Sequence, residues 1–130
     1  MGAKQLLTVT ALVETATSLM LITSPTFVVT LLLGVLLEQP AALVVARVAG
    51  AALLSVGCAC WLGRNDEHDR GVSGLVVALL LYNSVAATVL AHAGAGAQLV
   101  GVLTWPAVAL HVTLAAWCIA CLRRSWFRRH

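Results

Sequence analysis

Apolar residues run along this chain in blocks long enough to cross a lipid bilayer, and polar residues fall mainly between those blocks. A helix needs roughly 20 mostly apolar residues to traverse a hydrocarbon core about 30 Å thick. Four stretches meet that length: about residues 5–23, 41–62, 72–91 and 99–122. A fifth apolar piece, about residues 25–37, is too short to span. Pro25 stands where a new helix would begin, and Gly34 and Pro40 punctuate its end, so the pattern predicts a short interfacial or re-entrant helix. The alternative is one long, kinked first helix. The expected fold class is therefore all-α, an integral membrane four-helix bundle in a single transmembrane domain over residues 1–130.

Composition agrees with this pattern. Of the 130 residues, 61% are hydrophobic and only 10% charged. An ordinary soluble domain carries about 25% charged residues. The mean hydropathy of +0.97 points the same way. No cleavable signal peptide is evident, because Glu14 interrupts the first apolar run and no small-residue cleavage site precedes a polar chain. The first segment is expected to be retained.

The basic residues orient the spans. Lys4 precedes the first, Arg64 and Arg70 lie between the second and third, and Arg123, Arg124, Arg128 and Arg129 follow the last. In a four-span topology all seven fall on one side, which predicts that both termini are cytoplasmic. The expected location is a bacterial inner membrane. The basic tail is read as resting on anionic headgroups beside Trp126 and Phe127, and no nucleic-acid partner is expected. Beyond the lipid bilayer, the anticipated partner is a second copy of the chain or the other subunits of a membrane complex.

Glu14, Arg47, Asn83 and His111 each lie inside an expected span. A charge at the centre of a membrane helix costs about 2.5–3.5 kcal/mol on insertion scales, so such residues are functional candidates. At about 1.5 Å per residue, Glu14, Asn83 and His111 come within a few ångströms of the midplane, and Arg47 lies roughly 10 Å from the outer end. The four are expected to meet in one buried polar cluster, with Glu14 and Arg47 as an ion pair and Asn83 and His111 completing its hydrogen bonds. Thr10, Thr17 and Ser18 share a helical face with Glu14, and Tyr82 neighbours Asn83, which makes these four supporting polar residues. Such a cluster serves to set helix register, or to hold a small ligand or a proton.

The remaining chemistry is sparse. Cys58, Cys118 and Cys121 are the candidate metal ligands, but the cysteine spacing does not bring all four to one tetrahedral site, and contacts between helices explain them better. Asp66, His68 and Asp69 in the central loop read as a solvated turn in preference to a metal site. A haem or quinone-type ligand at His111 is a further alternative; no second histidine shares its depth, and Met20 is placed nearer the outer side. Nucleophile elbows, phosphate loops and zinc-protease signatures are missing, which points away from an enzyme.

Two resemblances bear on function. The segment Ala11-Leu-Val-Glu14-Thr-Ala-Thr-Ser-Leu-Met20 resembles the first helix of small multidrug resistance transporters. That resemblance implies four spans and a role for Glu14 in coupling proton and substrate movement. The chain differs from that family at Arg47 and in its long first connection. Glu14, the run from Pro25 to Gly34, Arg47-Val-Ala-Gly50-Ala-Ala-Leu-Leu and the closing Trp61 look like small four-helix DoxX-like membrane proteins. That likeness implies an accessory subunit. The leading expectation is a non-enzymatic accessory or small-ligand-binding membrane protein. The alternative is a proton-coupled transporter using Glu14, and the third reading is a redox or haem-bearing subunit.

Overall fold

The computed structural model describes residues 2–66 and 70–127. It is all-helical: α1 (Ala3–Thr23), α2 (Pro25–Leu33), α3 (Pro40–Gly63), α4 (Arg70–Ala95) and α5 (Thr104–Phe127). Four of these, α1, α3, α4 and α5, are long and apolar enough to cross a membrane. The short α2 is a separate helix, as the prolines and glycine predict. Of the central-loop residues, His68 and Asp69 lie outside the described residues, as do Arg128 and Arg129 of the tail.

Proline and glycine set the boundaries of α2. Pro25 occupies its first turn, where the missing N–H costs nothing. Gly34 closes it in the left-handed conformation (φ 72°), the usual helix-ending geometry for glycine. A side chain there would also collide with Val100: a Cβ would lie 2.4 Å from its carbonyl oxygen. Thr26 and Thr30 then donate to Leu37 and Val35 carbonyls at 3.2 and 3.1 Å, folding the link to α3 back over α2.

Several boundaries differ from the sequence expectation: α2 stops at Leu33, short of residue 37, and α5 runs on to Phe127, past residue 122. The helix α4 continues through Ala95, past the expected residue 91, and α5 starts at Thr104, not near residue 99. Residues 99–103 are withheld from the helix because their backbone serves α2. The Leu103 N–H donates to the Leu31 carbonyl at 2.8 Å, and the Gly101 N–H to Leu32 at 3.4 Å. Thr104 adds its hydroxyl to the same Leu32 carbonyl. The approach is so close that a Cβ at Gly101 would stand 2.2 Å from the Leu31 oxygen. Orphan carbonyls at the end of α2 are thus satisfied by another part of the chain, as a helix end away from water requires.

The helices pack as two tight pairs, α1 with α3 and α4 with α5. The first pair rests on Gly50 and Gly57, seven residues apart and so on one face of α3. A Cβ at Gly50 would come 2.9 Å from the Ile22 side chain and 3.1 Å from the Ser18 carbonyl. At Gly57 it would come 2.7 Å from the Thr15 hydroxyl and 3.3 Å from the Ala11 carbonyl. Glycine at such contacts lets two backbones approach, and dispersion does the rest in lipid. Other small residues of α3, including Ala51, Ala52 and Ser55, are exposed instead.

The two pairs meet in an apolar core at one end of the bundle, formed by Leu6, Leu7 and Ala11 of α1, Cys60 of α3, Val72, Val76 and Leu79 of α4, and Leu114 and Cys118 of α5. This brings the start of α1 and the later half of α5 to the same end. The outer surface is apolar as well: Leu12, Val45, Leu62, Leu81 and Val89 are each at least 60% exposed. A continuous apolar surface of this kind is suited to lipid and not to water.

Gly50→Leu and Gly57→Leu are each expected to lower stability by about 1–3 kcal/mol through overpacking. The measurement is the midpoint of unfolding in a mixed-detergent titration. Gly74→Leu is the control, because nothing lies within 4 Å of its Cβ position, and its midpoint should stay near the wild-type value.

Candidate ligand-binding site

Above the apolar core, the interior changes character. Glu14 enters it from α1, Tyr82 and Asn83 from α4, and His111 from α5. Glu14 and Asn83 are buried, and Tyr82 and His111 are half-buried. These residues lie one or two helical turns from Leu79 and Leu114, so the polar layer sits directly on the apolar plug.

The layer is held by specific bonds. Asn83 donates through Nδ2 to the Leu79 carbonyl of its own helix at 2.8 Å. Its Oδ1 then faces His111 Nδ1, also at 2.8 Å. Tyr82 stands edge-on to the His111 ring, with centroids 5.6 Å apart and planes at 86°. Its hydroxyl points to Glu14 Oε2 at 3.4 Å, at the long end of hydrogen-bonding distance. Three of the four residues expected in the cluster, Glu14, Asn83 and His111, are therefore brought together, with Tyr82 bridging them.

Arg47 is not among them. The expected Glu14–Arg47 ion pair is replaced by a different contact: Arg47 is exposed on α3, and its Nε donates to the Ile22 carbonyl at 3.2 Å. The physical reason is the break between α1 and α2. Ile22 lies in the last turn of α1, where carbonyls have no N–H ahead of them, and Pro25 offers none. A guanidinium satisfies one of these carbonyls and complements the negative end of the helix dipole. Depth counting placed Arg47 near enough to reach the midplane; its long side chain runs the other way.

The supporting residues divide. Thr17 is half-buried near Glu14, whereas the buried Ser18 turns its hydroxyl onto the Thr15 carbonyl at 2.9 Å. Thr10 is fully buried, and its hydroxyl meets no partner in the structure. Nor do the candidate metal ligands converge. Cys58 is exposed, Cys118 is packed with Cys60 in the core, and Cys121 is half-buried. Among the described residues, no group of three or more His, Cys, Asp or Glu side chains could hold a metal ion.

A cavity of about 300 Å³ adjoins the polar layer, lined by α1, α2, α4 and α5. Glu14, Thr17, Tyr82 and His111 form its polar side. The rest is apolar: Val13 and Met20 from α1, Val28, Leu31 and Leu32 from α2, Leu90 from α4, Leu103 from the segment just before α5, and Pro106, Ala107 and Leu110 from the start of α5. Small-molecule pockets generally measure about 300–1,000 Å³ and combine an apolar lining with a few placed polar groups. The cavity meets that description at its lower limit. Met20, placed by sequence nearer the outer side, lines the same space as His111. The part played by α2 was not anticipated. The spacing of Val28, Leu31 and Leu32, at i, i+3 and i+4, is the signal that one face of this short helix points inward.

Two double-mutant cycles on detergent-unfolding free energies test this arrangement. Asn83→Ala with His111→Ala should show a coupling of about 0.6–1.7 kcal/mol, the range of interhelical hydrogen bonds in membranes. Glu14→Ala with Arg47→Ala should be additive within experimental error.

Comparison of the chain with protein-family models, with curated proteins and with solved structures finds no match.

Proposed function

We propose that this membrane protein binds a small, largely apolar molecule in the cavity beneath α2 and does so without catalysing a reaction on it. The observation that carries the reading is the pairing of a 300 Å³ apolar cavity with Glu14, Thr17, Tyr82 and His111 on one side of it. Polar groups held in hydrocarbon are expensive. A requirement for helix register alone would be met by the Asn83–His111 bond, and it leaves Glu14 and the adjoining space without a purpose. In this reading the protein is an accessory or carrier in a bacterial inner membrane, as a homo-oligomer or as a subunit of a larger assembly. Both termini are cytoplasmic, because Lys4, Arg64, Arg123 and Arg124 gather at one end. The cavity then lies on the outer side of the midplane.

A second reading, proton-coupled transport through Glu14, is favoured by one specific observation. Glu14 has Tyr82 as its hydrogen-bonding partner, and Arg47 is engaged elsewhere. A carboxyl group beside a cavity and without a basic partner is free to exchange a proton for a ligand.

Native mass spectrometry of the protein, gently extracted from its own membrane, tests the first reading. Wild-type protein should carry a bound small molecule. Ala107→Trp, which fills the cavity from α5, should carry none while keeping its helical circular dichroism. Equal occupancy in both proteins would place the ligand elsewhere and end this proposal. For the second reading, proteoliposomes should show ligand-linked proton movement that Glu14→Gln abolishes.

A further inference from the structure

The hydrogen bonds of the polar layer determine what kind of group the cavity can receive. Asn83 Nδ2 donates to the Leu79 carbonyl. A carbonyl oxygen only accepts, so the amide nitrogen must be on that side and Oδ1 must face His111. Oδ1 in turn only accepts, so the hydrogen of the 2.8 Å bond belongs to His111 Nδ1. An uncharged imidazole carries one ring hydrogen. With that hydrogen on Nδ1, the other ring nitrogen, Nε2, presents a lone pair.

The same accounting applies to the neighbours. Tyr82 directs its hydroxyl hydrogen to Glu14 Oε2, which leaves the phenol oxygen as an acceptor. Of the polar residues that line the cavity, His111 and Tyr82 therefore keep Nε2 and Oη as acceptors, while their hydrogens are committed inside the protein. Thr17 is the one lining hydroxyl able to play either part.

From this we infer that the cavity selects ligands whose polar end is a hydrogen-bond donor, a hydroxyl or an amine on a compact apolar body, and discriminates against otherwise similar molecules that carry a carbonyl or an ether. The inference rests on the ligand-binding reading above and specifies its chemistry. A carbonyl placed against these two acceptors leaves its own lone pairs and theirs unanswered. Sites built around a ligand's hydroxyl reject analogues that lack it more strongly than sites that sense shape alone. For a quinone-type ligand, the reduced dihydroxy form fits this wall and the oxidised dicarbonyl form does not.

Three naphthalene probes of nearly equal size separate these cases: 1-naphthol, 1-naphthylamine and 1-methoxynaphthalene. Binding to the full chain in lipid nanodiscs is read by equilibrium dialysis against empty nanodiscs, with naphthalene fluorescence as the signal. At least one of the two donor probes should bind about tenfold or more tightly than the ether, equivalent to about 1.4 kcal/mol. The stronger of the two identifies the head group as hydroxyl or amine. His111→Phe should bring the best donor toward the affinity of the ether, which itself should change little. If wild-type protein binds the ether as tightly as both donors, the donor inference is overturned and the cavity remains a binding site. If no probe binds above the level of empty nanodiscs, the ligand-binding reading fails, and this inference with it.

Discussion

Hydrocarbon supplies no hydrogen bonds, so each polar group on a spanning helix has to be answered from within the chain. Most of this structure follows from that constraint. Thr8, Thr23, Ser55, Ser84, Thr88 and Thr113 all return their hydroxyls to the carbonyl four residues earlier, which disposes of them locally. Arg47 supplies a donor to the C-terminal end of α1. Thr104 and the backbone of residues 101 and 103 supply donors to the end of α2. Asn83 and His111 answer each other across α4 and α5. Among the described residues, the buried side-chain atoms Thr10 Oγ1 and Trp117 Nε1 stand outside this accounting.

The cavity is a consequence of how the two helix breaks are repaired. After Thr23 the chain cannot continue straight, because Pro25 starts a new helix and Gly34 ends it within nine residues. The carbonyls at the end of α2 are met by delaying the start of α5 to Thr104. That docking holds Val28, Leu31 and Leu32 over the space between α1, α4 and α5. At the opposite end, Leu6, Leu7, Val72, Val76 and Leu114 are buried together in the apolar core. One half of the bundle thus holds the apolar core and the other a partly open chamber, with Glu14, Tyr82, Asn83 and His111 at the boundary between them.

This asymmetry gives the polar layer its chemical character. On its plugged side, Asn83 is tied to its own helix and orients His111. On its chamber side, Tyr82 and Glu14 stand against an apolar space. In the proposed ligand-binding reading, a fixed tautomer and a committed phenol hydrogen would make the wall directional, so that recognition would depend on which partner carries the hydrogen as well as on shape.

Much of the architecture could be read from residue order alone. The apolar block lengths determine four spanning helices, since a bilayer of given thickness and a helix of given rise leave no other solution. Pro25, Gly34 and Pro40 mark a separate short helix, because their backbone restrictions act locally. Depth along the helices was sufficient to place Glu14, Asn83 and His111 in one layer. Depth says nothing about rotation or about the direction of a long side chain. Hence Arg47, at a plausible depth, was assigned to Glu14, while the packed structure uses it at Ile22, where the α1 terminus creates a need that no sequence count reveals. The late start of α5, the cavity and the inward face of α2 likewise belong to tertiary structure. They arise from contacts between residues about 70 positions apart, such as Leu32 with Thr104, and only the folded chain decides which distant donor meets which orphaned carbonyl.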